Sequence, residues 1–86
     1  MAQRTPTIAD VMAKIAAWPD RREARLDQNE APVYCDLPKG HMAQLRYTGK
    51  GPRFYKPTAR TVIYKVGDLD DWINASARTS TAEAAA

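Results

Sequence analysis

Residues 37–67, LPKGHMAQLRYTGKGPRFYKPTARTVIYKVG, decide how this 86-residue chain is organised. The stretch contains seven of the thirteen Lys and Arg residues and no Asp or Glu. Its formal charge is therefore +7 (seven bases minus zero acids, with His41 neutral), whereas the whole chain has a formal net charge of +3. A positive surface of this kind suits a polyanion, because each neutralised phosphate releases condensed counterions. The alternative from charge alone is a solvated basic face.

A helix is predicted at the start of this stretch, over about residues 39–47. Pro38 can begin it, because proline lacks the amide hydrogen that the first turn of a helix leaves unpaired. Gly49 can end it, because glycine readily adopts the left-handed conformation found after helix ends. A shorter helix, from about residue 30 to Cys35, precedes it across a tight turn. Two short helices joined in this way are the skeleton of a helix-turn-helix.

A β-hairpin is predicted after a second break at Gly51-Pro52. Two β-prone runs, 54–56 and 62–65, flank a connection over residues 57–61. The connection contains Arg60, so the hairpin is expected to have a basic tip.

The N-terminal segment predicts an amphipathic helix of about ten residues. Thr7 and Asp10 have the spacing of a capping box, and Pro19 closes the segment. Four apolar residues share one helical face: Ile8, Val11, Met12 and Ile15. A helix this short is marginal in water, so its apolar face needs a surface to cover. We expect it to pack on its own domain, with binding to another copy as the alternative.

The charged segment 20–29 is expected to be a linker, in which Leu26 could make a short extended contact. Asp27 and Asn29 both could cap the short helix that follows. Pro32 favours Asn29, because proline fits the first turn of a helix and disrupts hydrogen bonding deeper inside.

A last helix is predicted over residues 68–75, after Gly67. Three acids in its first turn would complement the helix dipole: Asp68, Asp70 and Asp71. The residues at i, i+3 and i+4 should form its core face: Leu69, Trp72 and Ile73.

The fold class expected from these elements is α+β, mostly α. We expect a winged helix-turn-helix with a two-stranded wing over residues 20–77. An amphipathic helix within residues 1–19 forms an N-terminal extension, and residues 78–86 form a flexible tail.

The predicted helix over 39–47 can be oriented at roughly 100° per residue. Its apolar side contains Pro38, Met42 and Leu45, so the polar and small residues lie opposite. Gln44 could pair with an adenine edge, and Arg46 or Lys39 with guanine or a phosphate. His41 lies close to the apolar side, where a packed or surface histidine competes with a DNA contact. The candidate DNA-binding residues are Lys39, Gly40, His41, Ala43, Gln44, Arg46, Tyr47, Lys50, Arg53, Lys56, Arg60 and Lys65.

Neither catalysis nor a metal site is expected. The chain has one His, one Cys, no phosphate-binding loop and no evident Ser-His-Asp set. The adjacent Asp70 and Asp71 diverge on a helix and need no catalytic role. A single cysteine, Cys35, excludes an intramolecular disulfide, and with only His41 as a companion it excludes an ordinary structural zinc site. We expect Cys35 to be a small core residue and the protein to need no cofactor.

A membrane location is not expected either. No apolar run in the sequence approaches the length that spans a bilayer, and the first six residues lack the apolar core of a secretory signal. We expect a soluble, cytoplasmic protein associated with the nucleoid.

The order of these elements resembles the small winged-helix family of phage and mobile-element excisionases and their AlpA-like regulator relatives. The resemblance covers about residues 26–76, and two motifs carry most of it: Thr48-Gly49-Lys50-Gly51-Pro52 and Asp68-Leu69-Asp70-Asp71-Trp72-Ile73. The other matching residues are Glu30-Ala31, Tyr34, Leu37, Leu45-Arg46, Phe54-Tyr55-Lys56 and Arg60-Thr61-Val62-Ile63-Tyr64. Asp36 stands where a glycine is common in the family.

The resemblance implies a non-enzymatic protein with a recognition helix in the major groove of double-stranded DNA and a wing over the adjacent minor groove. It further implies that several copies bind side by side at an attachment site and bend the DNA. They then direct a separate integrase, tyrosine or other, toward excision. Relatives with the same domain act as transcriptional regulators, and this alternative stays open. A protein-interaction module that uses the first helix is the rival from another class.

Overall fold

The computed structural model describes residues 5–77, which contain four α-helices and one three-stranded antiparallel sheet. In chain order the elements are α1 (Ile8–Ala16), a 3₁₀ turn (Arg21–Glu23), β1 (Arg25–Asp27), α2 (Glu30–Cys35), α3 (Lys39–Thr48), β2 (Tyr55–Thr58), β3 (Thr61–Lys65) and α4 (Val66–Ala75). The predicted α+β class is therefore confirmed. The predicted tail over 78–86 lies outside the described residues. No helix within residues 5–77 has the length and apolar character needed to cross a membrane.

Helix α1 begins with the predicted capping box. The Asp10 amide donates to Thr7 Oγ1 at 3.1 Å, and the Thr7 amide donates to Asp10 Oδ2 at 3.0 Å. Val11 and Ile15 are buried in the core that they share with the other helices and the sheet. The remaining two residues of the predicted apolar face, Ile8 and Met12, stay about half exposed. The helix thus packs on its own domain with only half of its apolar face.

The prediction of a linker over residues 20–29 is wrong, because this segment supplies a strand of the sheet. Ala24 and Leu26 are buried and Arg25 between them is exposed, which is the alternation of a half-buried strand. Leu26 lies opposite Tyr64, so the short extended contact expected for it exists as the β1–β3 pair. The strand order β1-β3-β2 makes β3 the central strand.

Asn29 occupies the N-cap position of α2, as predicted, but the capping hydrogen bonds come from Asp27. The Asn29 side chain makes no capping hydrogen bond. Asp27 Oδ1 accepts from the Asn29 and Glu30 amides at 2.8 and 2.9 Å, and Glu30 Oε1 accepts from the Asp27 amide at 2.9 Å. This reciprocal pair is a capping box built from Asp27 and Glu30, three residues apart. Pro32, buried in the first turn, is compatible with either cap.

Asp36 ends α2 in the left-handed conformation, with φ 59° and ψ 45°. It is the only non-glycine residue with positive φ in the described part of the chain. The left-handed region disfavours residues with a Cβ, and glycine has no such penalty. The conformation is needed because the chain must reverse before Pro38 begins α3.

We predict that Asp36→Gly stabilises the protein by about 0.5–1 kcal/mol. Relief of the left-handed strain, roughly 1–2 kcal/mol, exceeds the extra backbone entropy that glycine loses on folding. Urea unfolding followed by circular dichroism measures the change. Gly49→Ala is the matched control, because Gly49 has φ 75° and the alanine should destabilise the protein by about 1 kcal/mol. A destabilised Asp36→Gly variant would contradict the strain argument.

The predicted hairpin is present, with a shorter connection than expected. Strands β2 and β3 pair with Tyr55 opposite Ile63 and Thr58 opposite Thr61, which leaves Ala59 and Arg60 as the turn. The Thr58 hydroxyl donates to Thr61 Oγ1 at 2.8 Å and accepts from the Arg60 amide at 3.3 Å. Arg60 therefore lies at the tip, as predicted.

Helix α4 follows β3 directly and begins two residues earlier than predicted. Leu69 is buried and Trp72 is partly buried, but Ile73 is 37% exposed, so its assignment to the core face was wrong. Only Asp68 lies in the first turn. The other two acids instead form ion pairs with the 3₁₀ turn, Asp70 with Arg21 at 2.6 Å and Asp71 with Arg22 at 2.9 Å. The dipole argument therefore holds for one acid of the three.

Candidate nucleic-acid interface

Helix α3 is anchored by a few apolar residues and presents its opposite face to solvent. Met42 is buried in the core, and Leu45 is partly buried against it. On the outer face Gln44 is exposed, and Tyr47 is 92% exposed. Gly40 faces open space, since a Cβ there would meet no other atom within 4 Å. No part of residues 5–77 covers this face, which is thus open to a partner.

The other candidates on α3 lie at the edges of that face. Lys39 and His41 are exposed, and Ala43 is partly exposed. Arg46 is also partly exposed, and its guanidinium is engaged within the protein. Nη1 donates to the Tyr64 hydroxyl at 3.1 Å, and Cζ lies 5.9 Å from the centroid of the Phe54 ring. Arg46 therefore joins α3 to the hairpin, whereas its predicted DNA contact stays a prediction.

The connection from α3 to the hairpin is tightly fixed. The amides of Lys50 and Gly51 both donate to the Leu45 carbonyl, at 3.1 and 3.3 Å. Gly51 passes so close to α3 that a Cβ on it would lie 3.0 Å from Leu45 Cβ. From the other side, Trp72 Nε1 donates to the Lys50 carbonyl at 3.1 Å. The exposed side chains of Lys50 and Arg53 are therefore presented from a braced segment of backbone.

The hairpin presents its cations in two settings. Lys56 and Arg60 are exposed on β2 and at the tip. Lys65 lies at the base of the hairpin, where its Nζ is 3.4 Å from a Glu23 carboxylate oxygen and 5.4 Å from the centroid of the Tyr55 ring. Of the three predicted hairpin cations, Lys65 is thus the one with an acid beside it.

Most of the ion pairs join residues outside the basic stretch 37–67. In the described part of the chain they are Lys14–Glu30, Arg21–Asp70, Arg22–Asp71 and Lys65–Glu23. Three of these four pairs lie wholly outside residues 37–67, so three acids of the flanking segments pair with bases of those same segments: Glu30, Asp70 and Asp71. Within residues 5–77, no carboxylate forms an ion pair with the other six nominated lysines and arginines. Arg46 is one of them, and the other five are exposed: Lys39, Lys50, Arg53, Lys56 and Arg60.

Hydrogen bonds at the surface of the core hold two of these flanking acids, Asp70 and Asp71. The Tyr34 hydroxyl donates to Asp70 Oδ1 at 2.5 Å, and Arg21 donates to both Tyr34 and Asp70. The hydrogen bond from Arg22 lowers the pKa of Asp71. Burial, with the charge of Asp70 adding to it, raises the pKa of the Cys35 thiol to about 11. Cys35 is therefore a neutral, half-buried thiol packed against the core.

The supporting residues of this surface were not predicted from the sequence. Phe54 and Tyr64 hold Arg46, and their rings lie 6.2 Å apart between centroids. Trp72 holds the Lys50 carbonyl from 22 positions away in the chain. No local spacing signals contacts at this separation. The alternation of residues 62–66, with Val62, Tyr64 and Val66 buried, could have indicated that Tyr64 points inward.

A scan of the sequence against models of protein families finds no match. A search of curated proteins likewise finds no similar protein.

Proposed function

We propose that this chain is a small architectural DNA-binding protein with a winged helix-turn-helix fold. In this proposal α2 and α3 form the helix-turn-helix, α3 enters the major groove, and the β2–β3 hairpin is the wing over the adjacent minor groove. The observation that carries the proposal is the set of cations on α3, its connection and the hairpin. Five of them are exposed and have no acidic partner within residues 5–77.

Electrostatic repulsion among these cations explains why the protein would bind a polyanion such as DNA. Cations without acidic partners repel one another, and a polyanion removes that repulsion with the release of counterions. Lys50 and Arg53, on the braced connection, suit phosphate contacts, which position a protein on the duplex without specifying sequence. Arg60, at the end of a narrow two-residue turn, suits a minor groove or a phosphate.

The biological role that we propose is that of an excisionase: cooperative binding at attachment-site DNA, bending, and direction of an integrase toward excision. Support comes from the resemblance in the helix, hairpin and final-helix motifs. The small size of the domain adds a physical argument, because one copy makes few contacts and neighbouring copies would supply affinity. A transcriptional regulator with the same domain is the alternative.

Footprinting on the DNA that flanks the encoding gene separates these two roles. Tandem protected sites beside an integration junction, filled cooperatively, are expected for an excisionase. A protected site over a promoter, away from any junction, would favour the regulator. Strictly independent filling of adjacent sites would contradict the cooperative assembly.

A protein-interaction module is the second candidate function, and one observation favours it. Ile8 and Met12 on α1 remain about half exposed, one turn apart. An apolar pair of this kind can serve as part of a protein-binding face. Salt-insensitive binding to a protein, without DNA binding at low salt, would support this candidate over the DNA-binding one.

We predict that Gln44→Ala changes sequence preference. Gln44 is exposed on the outer face of α3, where its amide can pair with an adenine edge, and one such pair gives about 1–3 kcal/mol of discrimination. Competition between cognate and random duplexes measures the change in the affinity ratio. Lys14→Ala is the control, because Lys14 lies on α1 and pairs with Glu30. An equal loss of affinity for cognate and random DNA would count against base recognition by Gln44.

A further inference from the structure

The centre of the outer face of α3 contains no cation. At 100° per residue, Gly40, Gln44 and Tyr47 lie opposite buried Met42, and partly exposed Ala43 lies at the edge of this face, next to Tyr47. The bidentate pairing of Arg or Lys with guanine is the commonest specific contact in the major groove. In place of such a cation, the outer face of this helix has small residues, one amide side chain and one aromatic ring.

The one arginine of α3 is drawn away from that centre. Arg46 donates to the hydroxyl of Tyr64, a residue buried in the central strand, and its guanidinium lies over the Phe54 ring. Tyr64 lies in β3 of the hairpin, and Phe54 directly precedes β2. Moving Arg46 to a base edge would leave the buried Tyr64 hydroxyl without this partner, which costs free energy.

Tyr47 is the most exposed large apolar side chain of the described residues, at 92%. A nearly bare aromatic ring on a helix that also carries Lys39 and Arg46 suits a ligand that has apolar as well as anionic parts. In the major groove the apolar part is the C5-methyl group of thymine, which alanine and aromatic side chains contact. Ala43 lies one turn before Tyr47, so the two offer adjacent methyl-contacting positions.

We infer that α3 recognises an A·T-containing site in the major groove, with Tyr47 and Ala43 against thymine methyl groups and Gln44 on an adenine edge. This inference rests on the proposed DNA-binding function. It assigns Tyr47 a specificity-determining role and makes Arg46 a positioning residue that sets α3 against the hairpin.

The test begins with selection of preferred duplexes from a randomised pool by the full chain at about 50 mM salt, where phosphate contacts are strong. Thymines in the selected site are then replaced one at a time by deoxyuridine, which removes only the methyl group. The wild-type protein should lose affinity about fourfold at each contacted thymine, because burial of one methyl-sized group is worth about 0.8 kcal/mol.

Two variants make the result specific to Tyr47. Tyr47→Ala should bind thymine and deoxyuridine duplexes equally at the position it contacts, whereas Tyr47→Phe should retain the fourfold difference. Because the side chain is exposed, both should keep the wild-type unfolding midpoint. Selected sites composed of G·C pairs would overturn the inference, and so would a deoxyuridine effect that Tyr47→Ala leaves unchanged. Either result would leave the proposed function standing, whereas no binding to any duplex would overturn both.

Discussion

Tyr64→Ala is expected to destabilise the protein by about 3–5 kcal/mol, the typical cost of removing a large aromatic ring from a core. Tyr64 is the largest of the fully buried side chains, 1% exposed, and lies in the central strand opposite Leu26. A chain of this size has a total stability of about 4–13 kcal/mol at the usual value per residue. Urea unfolding followed by circular dichroism should therefore show a midpoint far below that of the wild type.

Tyr64→Phe is the matched control. It keeps the ring and removes the hydroxyl that accepts from Arg46, so the expected loss is about 0.5–1.5 kcal/mol. If the alanine variant lost less than about 1 kcal/mol, the core would not be centred on β3 as described. If the phenylalanine variant lost as much as the alanine variant, the hydroxyl would matter more than the packed ring.

The double variant Arg53→Ala/Arg60→Ala is expected to lose roughly 60-fold in affinity for duplex DNA at 0.1 M salt. Each phosphate contact contributes a factor of about eight at this concentration, relative to 1 M salt, from a slope of about 0.9 per contact. Both side chains are exposed, and neither has an acidic partner within residues 5–77. The magnitude of the slope of log affinity against log salt should fall by about 1.8.

Lys14→Ala/Arg22→Ala removes the same charge from outside residues 37–67. Lys14 pairs with Glu30, and Arg22 pairs with Asp71. We expect this control to change affinity less than about threefold and to leave the slope unchanged, since neither side chain is among the nominated DNA-binding residues and charges that make no phosphate contact are screened. Equal losses in the two double variants would mean that net charge, and not the surface on α3 and the hairpin, governs binding.

The elements that the sequence predicted well are those whose ends are marked by residues close in sequence. Thr7 and Asp10 mark the start of α1 through a reciprocal cap, and Gly49 marks the end of α3 through its left-handed conformation. The hairpin follows from two β-prone runs. Each of these signals depends on residues only a few positions apart, so it can be recognised in a single sequence.

The elements that the sequence predicted poorly depend on distant partners. Strand β1 has only three residues, and it exists because β3 offers it a free edge. Ile73 has the right spacing for the core. However, Arg21 and Arg22 of the 3₁₀ turn form ion pairs with α4, and in the resulting orientation Leu69 is buried and Ile73 is exposed. The charged segment 20–29 predicts a linker, because its own pattern does not show that Arg21, Arg22 and Glu23 have ion-pair partners in distant elements.

The candidate surface is intermediate between these cases. The exposure of Gln44, Tyr47 and Arg60 follows from helical and turn geometry, which spacing alone can give. The engagement of Arg46 with Tyr64 and of Lys65 with Glu23 depends on the packing of the hairpin against the rest of the domain. Local pattern therefore located the surface, and tertiary contacts decide which of its cations are free.

The salt dependence of binding to a random duplex tests the claim on which the proposed function rests. Five exposed cations without acidic partners among residues 5–77, with partial contributions from Arg46 and Lys65, predict a linear plot of log affinity against log salt with a slope of about −4 to −6. Affinity should fall at least a hundredfold between about 50 and 200 mM salt. Absence of binding at 50 mM salt, or a slope near zero, would contradict the assignment of this surface to DNA.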